Sequence, residues 1–166
     1  MANVSVNNEI DDIIDELAAT LLAGTWTDDE SSVFDLVEKA ASIQTFKDSR
    51  MTQSPCAAVV LNGMEDHLIT DNRRGCVADL AIFIASMEDV ETDRVTDIGK
   101  LVAAAKNLIN ADVPDDAEGF FQDGEENMTP RLEWGEPDSD TESDVPWQFT
   151  ELPLRVAFVT AGDTSY

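Results

Sequence analysis

Basic residues are scarce in this chain. Its 166 residues hold ten Lys and Arg against 35 Asp and Glu, a formal net charge of −25. Without a basic stripe to replace condensed cations, a sequence-reading nucleic-acid binder is excluded. The same excess repels an anionic membrane surface, and no apolar run approaches the roughly 18 residues that span a bilayer. Histidine and cysteine are nearly absent too, with His67, Cys56 and Cys76 the only examples. With one His and two Cys a zinc site is not expected, and two thiols are too few for a disulfide framework. Both cysteines lie in apolar contexts and read as reduced core residues. His67, in the polar stretch Met64 to Thr70, reads as an exposed loop residue. The first eight residues carry no charge, so the basic region of a secretory signal is missing and cytosolic synthesis is expected. The Asn-x-Ser/Thr matches at Asn3 and Asn127 have no significance without such a signal.

Catalytic signatures are also lacking. A phosphate-binding loop needs a glycine five residues before Gly99-Lys100, where Arg94 stands. No G-x-G-x-x-G or G-x-S-x-G occurs, and one histidine leaves little to activate a Ser or Cys nucleophile. Asp138, Asp140, Glu142 and Asp144 alternate like the first ligands of a calcium loop. Ser143 then stands at its glycine position and Phe149 at its bidentate glutamate, so solvated loop acids are expected there. We expect no catalytic, cofactor-binding or metal-binding residue, hence no enzyme and no cofactor.

The acids themselves run through the whole chain. Residues 1–50 hold 11 acids and 3 bases, 51–110 hold 9 and 5, and 111–166 hold 15 and 2. Hydrophobic residues make up 43% of the chain, enough for a folded core. Asp exceeds Glu by 21 to 14 and only four bases are Lys, a balance that resembles proteins of salt-adapted hosts. At molar salt the Debye length falls to about 3 Å and self-repulsion is screened. An acidic DNA mimic is the alternative, although mimicry favours charges on an elongated scaffold.

Length and pattern predict a single α+β domain over 1–166. Helical spacing of Ile10, Ile13, Ile14, Leu17, Leu21 and Leu22, with Asn7 or Asn8 as cap and Gly24 as stop, predicts the first helix. Strands are expected at 31–37, at 56–61 ending on Asn62-Gly63, and at 76–86, the last two paired. Val95, Ile98, Leu101, Val102, Ala105, Leu108 and Ile109 predict a helix over 92–110 capped by Thr92. Further strands are expected at 128–134 and 152–158, where Pro153 argues for an edge or a bulge. The sum is a mostly antiparallel sheet of four to five strands with two main helices packed on it, and acidic loop insertions at about 111–127 and 135–146. Trp26, Trp134 and Trp147, near element ends, are candidate interface anchors.

The succession of helix, strand, Pro55-Cys-Ala-Ala-Val-Val-Leu-Asn-Gly63, Leu80-Ala-Ile-Phe-Ile84, long helix and closing Leu152-Pro-Leu-Arg-Val-Ala-Phe158 resembles the tail terminator proteins of long-tailed viruses. The resemblance runs from Ile10 to Val159 and rests on element order. It implies a virion protein of the tail or neck, assembled in the host cytoplasm. Such a protein forms a homohexamer ring, caps the tail tube and joins it to the head–neck connector protein. DNA would then pass through the lumen without specific binding. Asp112, Asp115, Asp116, Glu118, Asp123, Glu125 and Glu126 are candidate channel-facing acids. Another head–tail connector component remains an alternative, as does the DNA mimic.

Overall fold

The computed structural model describes residues 9–42, 44–46, 53–70, 73–87, 91–112, 131–141 and 147–161. Helix α1 spans Glu9–Ala23, followed by strands β1 (Leu36–Ala40), β2 (Cys56–Thr70) and β3 (Arg73–Met87). Helix α2 covers Glu91–Asp112, and β4 (Arg131–Trp134), β5 (Asp138–Thr141) and β6 (Trp147–Ala161) complete the order. The class is α+β, as the patterning predicts. Among the described residues six strands run in the order β1-β2-β3-β6-β4, with β5 also on β6. Because β4 and β5 occupy successive stretches of one edge of β6, the sheet is five strands wide. Among the described residues only the β1–β2 pair is parallel.

Period-two alternation sorts the side chains between the two faces. On one face Ala57 and Val59 of β2, Leu80, Ile82 and Ile84 of β3, and Leu152, Leu154 and Val156 of β6 form one core with both helices. Helix α1 contributes Ile13, Ile14, Leu17 and Leu21, and α2 contributes Ile98, Leu101, Ala105 and Ile109, each set at the spacing of a single helical stripe. Gly24 ends α1 where a Cβ would overlap the side chain of Leu108, so its lack of a side chain lets the helices close. The opposite face carries a smaller cluster of Cys56, Ala58, Phe83, Ala85 and Phe149 under Phe46, whose ring meets Phe83 edge-on at 6.5 Å between centroids.

Several boundaries differ from expectation. Val33 and Phe34 are buried but precede the strand, which starts at Leu36. Beyond a single bridge from Thr25 to Ser32, residues 31–35 form no ladder. The bonds from Val33 N–H to the Gly24 carbonyl and from Asp35 N–H to the Pro55 carbonyl hold them as a buried connector. Asn62-Gly63 does not end β2. It forms a register shift between Leu61 and Gly63, and the strand continues to Thr70. A bulge absorbs the extra residue, so the turn-forming pair is spent inside a strand. His67 therefore pairs with Gly75 in the ladder, not in a loop. Thr92 lies inside α2, whose first residue is Glu91. Leu22, placed by spacing on the apolar stripe of α1, is 49% exposed.

The acidic region 135–146 is not one loop, because Asp138–Thr141 pairs with Gln148–Glu151 of β6. Pro153 explains its interruption. The Pro153 carbonyl accepts from Gly135 N–H at 2.9 Å, so the missing proline N–H faces the same outer edge. There β4 ends, opposite Leu154, and β5 begins opposite Glu151. The neighbouring edge is broken, while β6 itself runs unbroken between β3 and that edge. Pro153 thus makes β6 neither an edge strand nor a bulged one, since its register against β3 runs without a shift; the interruption falls on the neighbouring strands instead.

Candidate assembly surfaces

The three tryptophans occupy different settings. Trp26 and Trp134 are half-buried against the main core. Trp134 is further fixed by its Nε1–H, which donates to Asn110 Oδ1 at 3.1 Å, and by Lys106 Nζ, 5.9 Å from its ring centroid. Both link elements within the fold, Trp134 tying β4 to the last turns of α2. Trp147 packs against the smaller cluster and stands opposite Met87 in the β3–β6 ladder. Met87 is 46% exposed, so this pair makes an apolar end to the sheet on the face away from the helices. Of the three candidate anchors, Trp147 alone, among the described residues, adjoins an exposed large apolar side chain across a strand pair.

Among the candidate channel acids, Asp112 is the last residue of α2. Asp115, Asp116, Glu118, Asp123, Glu125 and Glu126 lie outside the described residues. Glu142 and Asp144 do so as well, while Asp138 and Asp140 stand two apart on β5, an extended strand and not a chelating loop. Among the described residues no three His, Cys, Asp or Glu side chains gather as a metal site. No helix there is long and apolar enough to cross a membrane.

Polar groups concentrate at the Met87 end of the helix-covered face. Ser86, Gln148 and Thr150 are buried, and the Ser86 hydroxyl donates to Asp97 of α2. Gln148 is fully buried with neither its amide nitrogen nor its amide oxygen hydrogen-bonded. Extending the alternation of Leu152, Leu154 and Val156 back by two and four residues would have placed Thr150 and Gln148 inward from sequence.

On the other face Asp79 accepts from Arg155 Nε at 2.9 Å, a pair about half exposed on each side. That hydrogen bond and charge, with Glu133 and Glu65 beyond, hold the Arg155 guanidinium above its ordinary value. Burial, with a smaller contribution from Glu38, pushes the Cys56 thiol up to about 12. This keeps Cys56 protonated and unreactive. On the turn between α1 and β1, Asp29 accepts from both the hydroxyl and the backbone N–H of Ser31, which lowers its carboxyl.

The structure exposes two residues that patterning did not single out, Leu61 (39%) and Met64 (50%). The register shift between Leu61 and Gly63 explains their shared side. Leu61 pairs with Leu80 and Met64 with Ala78, so both lie on the helix-covered face although they are three residues apart.

No family model matches the sequence, and no curated protein matches it. Among solved structures, a chain described as "Virion of native gene transfer agent (GTA) particle" is similar at 14% identity and a TM-score of 0.42. The match covers 75% of this chain and 78% of that one.

Proposed function

We propose that this protein is a structural virion component, a ring-forming tail terminator that caps the tail tube and joins it to the head–neck connector. The observation that supports it most is the element succession. Helix, strand, the β2–β3 hairpin, long helix and closing strand follow one another in the chain in the order on which the sequence resemblance rests. The role is assembly, without a catalytic step.

In this proposal the apolar end formed by Met87 and Trp147 contacts a neighbouring subunit of a homohexamer. Six weak contacts presented by one ring reach high effective concentration against a tube of matching symmetry, so no single contact need be strong. Asp112, Asp115, Asp116, Glu118, Asp123, Glu125 and Glu126 face the lumen, where they repel passing phosphates and prevent sticking. The test is to mix the protein with isolated tail tubes at low and at molar salt. Mass measurement and electron microscopy then report rings and capped tube ends. Capped tubes that no longer elongate are expected. A monomer under every condition, with tubes present, overturns the proposal. Tight stoichiometric inhibition of a DNA-binding enzyme would point to a mimic, and rings seated elsewhere in the neck to another connector.

A further inference from the structure

The core beneath the helices changes character at one end of the sheet. Along β6 the inward residues Val156, Leu154 and Leu152 are apolar and buried, and the next two inward positions are Thr150 and Gln148. Gln148 pairs with Ser86 in the β3–β6 ladder, one rung before Met87 with Trp147. The buried polar side chains among the described residues, Ser86, Gln148 and Thr150, thus all fall in the last few rungs at this end. Apolar burial, which holds the helices to the sheet at Leu80, Ile82 and Leu152, gives out there.

Two hydrogen bonds close this end. The Ser86 hydroxyl donates to Asp97 of α2, and Ser54 Oγ accepts from Met87 N–H at 2.8 Å. Against them stands the Gln148 amide, whose nitrogen and oxygen are both buried and unbonded. A buried polar atom left unpaired costs more than an ordinary hydrogen bond gains, and Gln148 has two of them. These rungs are therefore held closed by a smaller margin than those of the apolar core.

We infer that the rungs Ser86–Gln148 and Met87–Trp147 form a latch that opens while the rest of the sheet stays folded, and that opening hydrates the Gln148 amide. Met87 N–H points to Ser54, on the β2 side of β3. Alternation in an antiparallel ladder then turns the N–H groups of Ser86, Ile84 and Ile82 toward β6. Opening breaks the backbone bonds between Ser86 and Gln148 and leaves those between Ile82 and Leu152 intact. Met87 and Trp147 lie on the part that moves, so the same motion re-aims the apolar end of the sheet. The latch belongs to the single subunit and does not rest on the ring.

Amide hydrogen exchange on the full chain tests it, with Ile82 and Leu152 as internal reference. Relative to their free-peptide rates, the Ser86 and Gln148 amides are expected to exchange at least tenfold faster than the reference, at a rate that low denaturant leaves unchanged. Gln148→Leu should slow the Ser86 amide about tenfold. Ser86→Ala, which removes the tie to Asp97, should speed the Gln148 amide several-fold while the reference stays protected. An unchanged rate in either variant overturns the proposal and leaves ordinary fraying of a strand end. Ser86 and Gln148 amides as slow as the reference overturn it too, in favour of a buried water that pairs the Gln148 amide.

Discussion

Gln148 is an energetic liability: a fully buried amide whose nitrogen and oxygen both lack a partner gives up hydration without compensation. Gln148→Leu keeps a similar volume and removes both unpaired groups. We expect it to stabilise the fold by about 1–3 kcal/mol, read as a higher midpoint in chemical denaturation. Cys56 sets a pH limit. Between its ordinary value of 9.0 and about 12 the unfolded thiol ionises while the folded one stays protonated. The unfolded state then holds fewer protons than the native state, so stability falls as pH rises through that window. Cys56→Ala should flatten that decline, at a cavity cost visible at neutral pH, in denaturation midpoints measured from pH 8 to 11. By contrast the exposed Lys39–Asp15 pair is a weak contributor, and Lys39→Ala is expected to change stability by less than about 1 kcal/mol.

Strands and helices carry the next lesson, and β6 with its broken edge shows it best. Gly135 lies so close to Pro153 that a Cβ there would stand 2.8 Å from the proline Cβ. Because one of those atoms belongs to a rigid ring, Gly135→Ala forces the β4–β5 junction to shift. A loss of about 1–3 kcal/mol in denaturation is expected, with faster amide exchange in β5 than in β3. Patterning found both helices because α1 and α2 bury single stripes, and it found the centres of β2, β3 and β6 because their apolar alternation is unbroken. It shortened these strands, which each run 15 residues, since the ends beyond the core carry polar or turn-forming residues. Asn62-Gly63 is a strong local turn signal, overridden by the ladder to β3. Strand β5 was invisible because Asp138-Ser139-Asp140-Thr141 has poor strand propensity and is extended only by pairing with β6.

For the whole molecule, the net charge of −25 is the dominant fact. The described contacts include two acid–base ion pairs, both between exposed residues, which do little to offset so large an excess. Stability should therefore depend on screening. Raising NaCl from 0.1 to 2 M is expected to raise the midpoint of thermal unfolding by several degrees, measured by circular dichroism, and an unchanged midpoint would argue against salt adaptation. The candidate assembly surface was only partly legible at this scale. The three tryptophans could be named from sequence, but which of them adjoins exposed apolar surface depended on what each packs against. Trp134 is tied inward by Asn110 and Lys106, whereas Trp147 lies opposite exposed Met87.

Class, helix positions and the central strand pairing were determined by the sequence alone, because they follow from local periodicity and from the need to bury one apolar face. Tertiary structure decided the rest: which strand edges are covered, where the bulge turns Leu61 and Met64 to one side, and how Pro153 splits its neighbour. These depend on partners distant in the chain. A strand's backbone donors point at whatever lies beside it, and nothing in its own residues says what that will be.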